Sequence, residues 1–295
     1  MLEWTLVVLM ALQGDLPKTA PDPAVRALVA RALGAELARA ADAEGDAARL
    51  EALRSVIAEA VRELGPSSRI GAALGAASDA AARGDVEERL AELRAFVRER
   101  ALDLTFAPRV ESPRPAGFPA ATPVGEFAVL DYPAYRMARA AVPEGWFGGR
   151  NGAFWKLFRH IQKHEISMTA PVEMSYSRVD AKVERIRSMA FLYASIEIGE
   201  LGKDGDVEVV DIAAARVLSI GLRGSDDNAT FERALAGLRA WLAQHPEWLE
   251  CGPARVFGWN SPMVVDAERF HEVQLPIRAA PPKSGADAST PASRE

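Results

Sequence analysis

Aromatic side chains divide this sequence into unlike parts, so no single uniform core can be built from it. Of the 21 Phe, Trp and Tyr residues in the 295-residue chain, positions 23–104 hold only Phe96, whereas positions 123–278 hold 17. At about 150 residues per domain the length also suggests roughly two domains. In the aromatic-poor part, Val25, Leu28, Val29, Leu33 and Leu37 recur at helical spacing, as do Leu50, Leu53, Ile57, Val61 and Leu64, then Ile70, Leu74 and Ala77, then Leu90, Leu93 and Val97. That periodicity predicts four helices over residues 23–104. Gly45 with Asp46 and Gly84 with Asp85 read as a helix-ending glycine followed by an N-cap, and Gly65 with Pro66 makes a third break. A weak repeat pairs Gly45, Leu50, Leu53, Arg54 and Glu59 with Gly84, Leu90, Leu93, Arg94 and Glu99. Two units are fewer than the roughly three a solenoid requires, which favours a small all-α bundle. The segment has no His, Cys or Lys and carries no chemistry; its charges read as solvated helix surface.

Flanking stretches read differently. Residues 105–122 contain Pro108, Pro113, Pro115, Pro119 and Gly117, which suits an extended linker. Residues 279–295 are rich in Ala, Pro and Ser and are expected to be disordered. Near the start, Trp4 and the run Leu6 to Leu12 are too short to span a bilayer. Residues 1–22 fit a signal peptide and mature N-terminus, which favours export to the periplasm or beyond over the cytoplasm; the alternative is a buried N-terminal strand or helix turn.

The aromatic-rich part alternates strand-like runs with amphipathic helices, twice. Phe127, Val129, Tyr135 and Met137 recur about 80 residues later as Val207, Val209, Val217, Leu218 and Ile220. A helix follows each, first through Phe154, Leu157, Phe158 and Ile161, then through Phe231, Leu235, Leu238 and Leu242, with further strands after both. An α+β domain with an internal duplication follows, its sheets closing on themselves or packing with helices outside.

Composition removes several classes of function. With 35 Lys and Arg against 41 Asp and Glu, the net charge of -6 offers no footprint for a phosphate backbone, so no nucleic-acid partner is expected. Cys251 is the one cysteine; it excludes an intrachain disulfide and reads as a buried apolar thiol. There is no nucleophile elbow, no His-Glu-x-x-His helix and no phosphate-cradling glycine loop, and the chain is expected not to be an enzyme. Gly148, Gly149 and Gly152 read as a turn before a helix that Asn151 caps.

Three blocks in order resemble the SOUL heme-binding family over residues 123–278. Asn151, Gly152, Phe154, Leu157, Ile161 and Gln162 resemble its first helix, and Met168-Thr169-Ala170-Pro171-Val172 is its most specific signature. Gly258-Trp259-Asn260-Ser261-Pro262 sits where the family has an aromatic-Asn-x-Pro turn, and Arg269, Glu272 and Val273 match its closing strand. The resemblance implies a distorted β-barrel of two antiparallel sheets flanked by two helices, similar also to bacterial small-molecule effector domains. It further implies non-covalent binding of heme or a related tetrapyrrole in a groove beside the first helix, lined by Asn151, Phe154, Phe158 and Arg159. A porphyrin is an apolar disc with two carboxylates at one edge, so cations at the rim are in keeping. Residues 123–170 carry Arg136, Arg139, Arg150, Lys156, Arg159 and Lys163 against four carboxylates; Arg136 and Lys156 join the candidate ligand-binding set.

Metal ligation is less directly written. Some family members are implied to use a first-strand His as an axial ligand, but Asp131 stands there, a poor ligand for heme iron. His160 and His164 lie four apart near a helix end and face one way, which makes them candidate metal ligands lacking a third partner in sequence. His245 sits where a helix cap is expected, and His271 where the closing strand of the family usually has Asn. Met168, Met174 and Met263 are sulfur donors that also suit a core. The reading is therefore reversible heme or tetrapyrrole binding for buffering or transport. Its competitors are a ligand-free interaction scaffold whose residues 23–104 dock a protein partner, and a sensor of another small apolar ligand.

Overall fold

The computed structural model describes residues 20–39, 45–142, 149–180 and 183–281. Most of the expected leader and of the expected tail lies outside the described residues. Four helices open the chain: α1 (Pro23–Arg39), α2 (Asp46–Leu64), α3 (Arg69–Ala80) and α4 (Val86–Thr105). Val29, Leu33, Leu53, Ile57, Leu74, Leu93 and Val97 meet in their shared core, each worth about 1.5–3 kcal/mol of burial. Leu28, on the same apparent stripe, is instead exposed. Asp85 caps α4 by accepting from Glu88 N at 3.0 Å, whereas Gly45 precedes α2 and Asp46 is already helical, paired with Arg49.

The remainder is one antiparallel sheet with two helices. In chain order it contains β1 (Phe127–Tyr132), β2 (Tyr135–Ala141), α5 (Gly149–Lys163), β3 (Val172–Asp180), β4 (Val183–Leu192), β5 (Gly202–Asp204), β6 (Val207–Ile212), β7 (Ala215–Arg223), α6 (Asn228–Gln244), β8 (Trp248–Glu250), β9 (Arg255–Gly258) and β10 (Phe270–Ala279). The strands pair in the order β1-β7-β10-β9-β3-β4-β2-β6-β5, with β8 on the side of β10. This order reads the same from both ends about the β9–β3 junction: β10 mirrors β4, β7 mirrors β2 and β1 mirrors β6. The duplication is thus visible in topology, with the first strand of each half lent to the ladder of the other. In place of two separate sheets there is one ladder, roughly a distorted barrel, whose edges β1 and β5 do not pair. β10 continues through Arg278 and Ala279, which pair with Leu249 and Trp248, so order extends past the expected start of the tail. No helix among the described residues is long and apolar enough to cross a membrane.

Alternation along the strands sends side chains to two faces. On one, Leu157 and Ile161 of α5 and Phe231, Leu235 and Leu238 of α6 cover Ala138, Phe191, Leu218 and Val273. On the other, Tyr132, Tyr135, Met137, Leu192 and Phe257 surround Phe118. Phe118 belongs to the Pro-rich stretch, which is extended but packed rather than free. Its ring meets Tyr132 and Tyr135 edge-on at 4.9 and 5.2 Å. Ala116 N donates to Ala194 O at 2.9 Å, and Glu111 accepts from Ser261 N at 2.7 Å. The stretch is therefore a strap across the second face of the sheet.

Bundle, strap and sheet meet at residues 122–126. Glu126, fully buried, accepts from Ser68 Oγ and Arg69 N at 2.7 Å each, which places its carboxylate on the N-terminus of α3. Arg26 of α1 reaches Glu126 at 3.4 Å and donates to Asp103 O and Val124 O at 2.9 Å. Arg223 of β7 donates to Asp103 and Glu99 of α4. Close approach needs two glycines here: a Cβ on Gly221 would overlap Thr122 O, and Gly125, at φ 80°, abuts Ile70 of α3. Burial pushes the Glu126 carboxyl above its ordinary value, with Ser68, Arg69 and Arg26 pulling the other way. Glu126→Ala strands the Arg26 guanidinium and the α3 amides together, and a loss of about 3–5 kcal/mol is expected in urea unfolding of the full chain. A loss below about 1 kcal/mol would show that the junction is not holding the bundle in place.

Candidate functional site

Helix α5 carries the candidate residues, and its two faces differ. Ala153, Leu157, His160 and Ile161 are buried against the sheet. Phe154 and Phe158 lie half-buried at the margin, their rings stacked at 6.0 Å, with Phe154 edge-on to Phe191 at 5.2 Å. Trp155 is 57% exposed and stands edge-on to both phenylalanines at 5.7 Å. The three rings form an aromatic ledge open to solvent on the Trp155 side. Asn151 is exposed in the first turn; because the helix already begins at Gly149, Asn151 does not cap it.

Charge pairing separates the candidate cations. Arg136 makes a two-pronged bond to Asp211 at 2.7 and 3.0 Å and donates to Gly199 O, so it is engaged with a loop of its own rather than brought to the ledge. Lys156 pairs with Asp206 at 2.7 Å, Lys163 with Asp204, Arg139 with Glu208 and Arg150 with Asp226. Arg159 differs: its Nε donates to Trp155 O at 3.3 Å, and among the described residues it has no carboxylate partner. An unpaired guanidinium therefore stands beside the exposed indole, where an incoming carboxylate can take two parallel N–H bonds.

Two clefts open beside the β5–β6 hairpin, and the first of them borders α5. One, of about 230 Å³, lies between Lys156, Arg159, His160, Lys163 and Asp204; the other, of about 440 Å³, lies beyond Asp206 and Val207 and is flanked by Arg139, Arg187 and Lys203. The first is smaller than the roughly 300–1,000 Å³ of usual ligand pockets and its walls are charged, so a large apolar disc suits the ledge better.

The histidines have separate fates. His160 is buried, with Nδ1 2.9 Å from Asp204 Oδ2 and Nε2 2.9 Å from the Tyr193 hydroxyl. His164 places Nε2 2.9 Å from the same Asp204 oxygen. Hydrogen bonds from Lys163, His164 and His160 hold the Asp204 carboxyl far below its ordinary value. His245 ends α6 as expected, its ring stacked on Trp241 at 3.6 Å and its Nδ1 2.8 Å from Trp241 O. Asp131 is held by Arg216 through bonds of 2.7 and 2.9 Å. Met174 is buried in the core, Met263 is exposed on a turn, and Cys251 is exposed rather than buried because it follows β8 at the rim of the sheet.

Sequence reasoning missed Trp155, Tyr193 and Asp204. Trp155 sits off the apolar stripe, and its type alone, a large aromatic on a polar helix face, was the available signal. Asp204 is 40 residues from His164, and nothing local announces the contact. The signature residues, conversely, turn out to build the scaffold. Thr169 Oγ1 donates to Leu192 O, Trp259 Nε1 donates to the fully buried Glu272, and Asn260 joins Arg109 O to Phe270 N.

A family model described as SOUL heme-binding protein matches residues 120–276. No curated protein matches the chain. Among solved structures, the C-terminal domain of EcmrR is similar at 18% identity and a TM-score of 0.37, over 52% of this chain and 98% of that one. EcmrR in its DNA complex is similar at 16% and 0.39, over 85% and 80%. A hydrolase from Listeria innocua is similar at 10% and 0.39, over 54% and 94%. Likeness this loose bears on neither ligand nor partner.

His271 on β10 is buried, and neither ring nitrogen has a partner among the described residues. Burial pushes its pKa down to about 4 from an ordinary 6.5. Between those values the unfolded chain binds a proton that the folded chain refuses, so this group costs stability as pH falls from 6.5 to 4, by about 3 kcal/mol at most, and no more below. His271→Asn is expected to flatten that part of the stability–pH curve relative to the parent chain in denaturant titrations. Parallel curves for the two proteins would contradict it.

Proposed function

Because the chain belongs to the SOUL heme-binding protein family, we propose that it binds heme or a related tetrapyrrole reversibly and non-covalently, for buffering or transport, as a binding protein and not as an enzyme. The observation that carries this reading is the Arg159 guanidinium, with no carboxylate partner among the described residues, beside the Trp155–Phe158 ledge. The macrocycle lies against the exposed indole and the half-buried edges of Phe154 and Phe158, and a carboxylate at its rim meets Arg159. Asn151 stands exposed in the first turn of the same helix. Lys156 contributes positive potential, muted by Asp206. Arg136, bound to Asp211, takes no part.

These residues fit the porphyrin face and its carboxylate edge, and they do not fit an axially ligated iron. Asp131 is closed by Arg216, and His160 and His164 are gathered on Asp204 at the C-terminal end of α5 rather than at the ledge. Grip on the macrocycle rather than the metal makes iron dispensable for affinity.

Titrations of the full chain followed by the Soret band are therefore expected to give 1:1 binding of heme and of iron-free protoporphyrin within about threefold of each other. Arg159→Glu and Trp155→Ala are each expected to weaken both ligands by about tenfold or more, the range for losing a charge-assisted hydrogen bond or a large aromatic contact, with far-ultraviolet dichroism unchanged. Binding of heme alone would replace the face-and-edge grip with iron ligation. No saturable binding of either would remove the tetrapyrrole reading.

A further inference from the structure

We infer that His160, His164 and Asp204 form a binding site for a divalent transition-metal ion of the zinc class, at the C-terminal end of the helix that carries the aromatic ledge. The two histidines are four apart on α5, so both imidazoles project from the same side of its last turns, ring centroids 4.6 Å apart. Asp204 closes the set from β5. One nitrogen of each ring lies 2.9 Å from Asp204 Oδ2, and the three ligand atoms fall within 4.8 Å of one another. Tetrahedral zinc with bonds near 2.0–2.1 Å has ligand atoms roughly 3.3 Å apart, so the ion enters the triangle by adjustment of the carboxylate and the exposed His164 ring.

The surroundings are those of a site rather than of a chance cluster. His160 is buried and its second nitrogen is engaged by the Tyr193 hydroxyl, the outer contact that fixes the ring and aims Nδ1 at the ion. Lys163 holds the other Asp204 oxygen at 2.7 Å, leaving Oδ2 for the metal. Two imidazoles and a carboxylate are the donor set of zinc, nickel or copper rather than of calcium or magnesium. Three protein ligands leave a fourth position on the solvent side, because His164 is exposed there. An ion at this place ties the end of α5 to the β5–β6 hairpin, which the sheet otherwise holds through a short edge strand.

The test is competition for Zn²⁺ between the full chain and a chromophoric chelator, without heme, in a Cys251→Ser background so that the exposed thiol contributes nothing. One equivalent of Zn²⁺ is expected to bind. His164→Ala and Asp204→Asn are each expected to weaken it at least about tenfold, while His245→Gln, at the far helix, leaves it unchanged. Zn²⁺ is also expected to raise the melting temperature of the parent and not of His164→Ala, since an ion bound only to the folded state stabilises it. If Asp204→Asn does not fold, His164→Ala decides alone, its side chain being exposed at the helix end. Absence of binding by the parent chain, or equal binding by parent and His164→Ala, would overturn the site.

Discussion

Residues 122–126 cross strand β7 at Gly221, and bundle, strap and sheet are all positioned by that crossing. Thr122 N donates to Glu272 at 2.8 Å and Thr122 Oγ1 to Ser219 Oγ at 2.7 Å, while Gly125 N donates to Gly221 O at 2.8 Å. One residue later Glu126 binds the N-terminus of α3. A carboxylate is thus buried on either side of the crossing, each raised above its ordinary pKa by burial and each compensated by donors from different elements. A buried anion is costly unless its partners converge, which makes such a junction intolerant of displacement. The bundle is therefore part of the mounting of the sheet rather than an appendage on a tether.

The strap extends the same logic to the second face of the sheet. Phe118 fills the space among Tyr132, Tyr135 and Phe257, where Arg255 and Glu173 pair at 3.3 Å out of reach of water. Burial opposes the Arg255 charge, but Glu173 and the adjacent tyrosines outweigh it and the guanidinium stays protonated. With that face covered from within the chain, the open aromatic surface falls to α5. The two halves of the duplicated domain are alike in topology and unlike in this respect. α6 buries Phe231 and stacks its Trp241 on its own terminal His245, whereas α5 leaves Trp155 and Arg159 to solvent and gathers His160 and His164 at its end.

Helix α5 consequently presents two unlike surfaces along one axis. Near its middle, aromatic edges and a guanidinium with no carboxylate partner among the described residues suit a flat anionic ligand. At its C-terminal end, imidazoles and a carboxylate suit a small cation. Lys156 and Lys163 link both regions to the β5–β6 hairpin through Asp206 and Asp204. The position of that hairpin therefore bears on both.

Local periodicity was enough to read the four helices, the repeated strand–helix pattern and the family motifs, because each depends on residues within a few positions of one another. Phe154, Phe158 and Arg159 came instead from the family resemblance, which implies a groove beside the helix that carries them. Arg136 escaped it: adjacency in sequence placed the residue among the candidate cations, and only the β2–β6 register opposite Asp211 showed it to be neutralised. The Pro-rich stretch was legible as extended but not as packed, because Phe118 finds its partners on strands that composition cannot locate. His160 and His164 were a pair in sequence and become a triad through Asp204, brought from β5 by the fold. Sequence by itself determined the elements, their duplication and the family, all of which follow from short-range pattern. Tertiary structure decided which charges are spent on each other and which remain for a ligand, because that depends on distances between residues far apart in the chain.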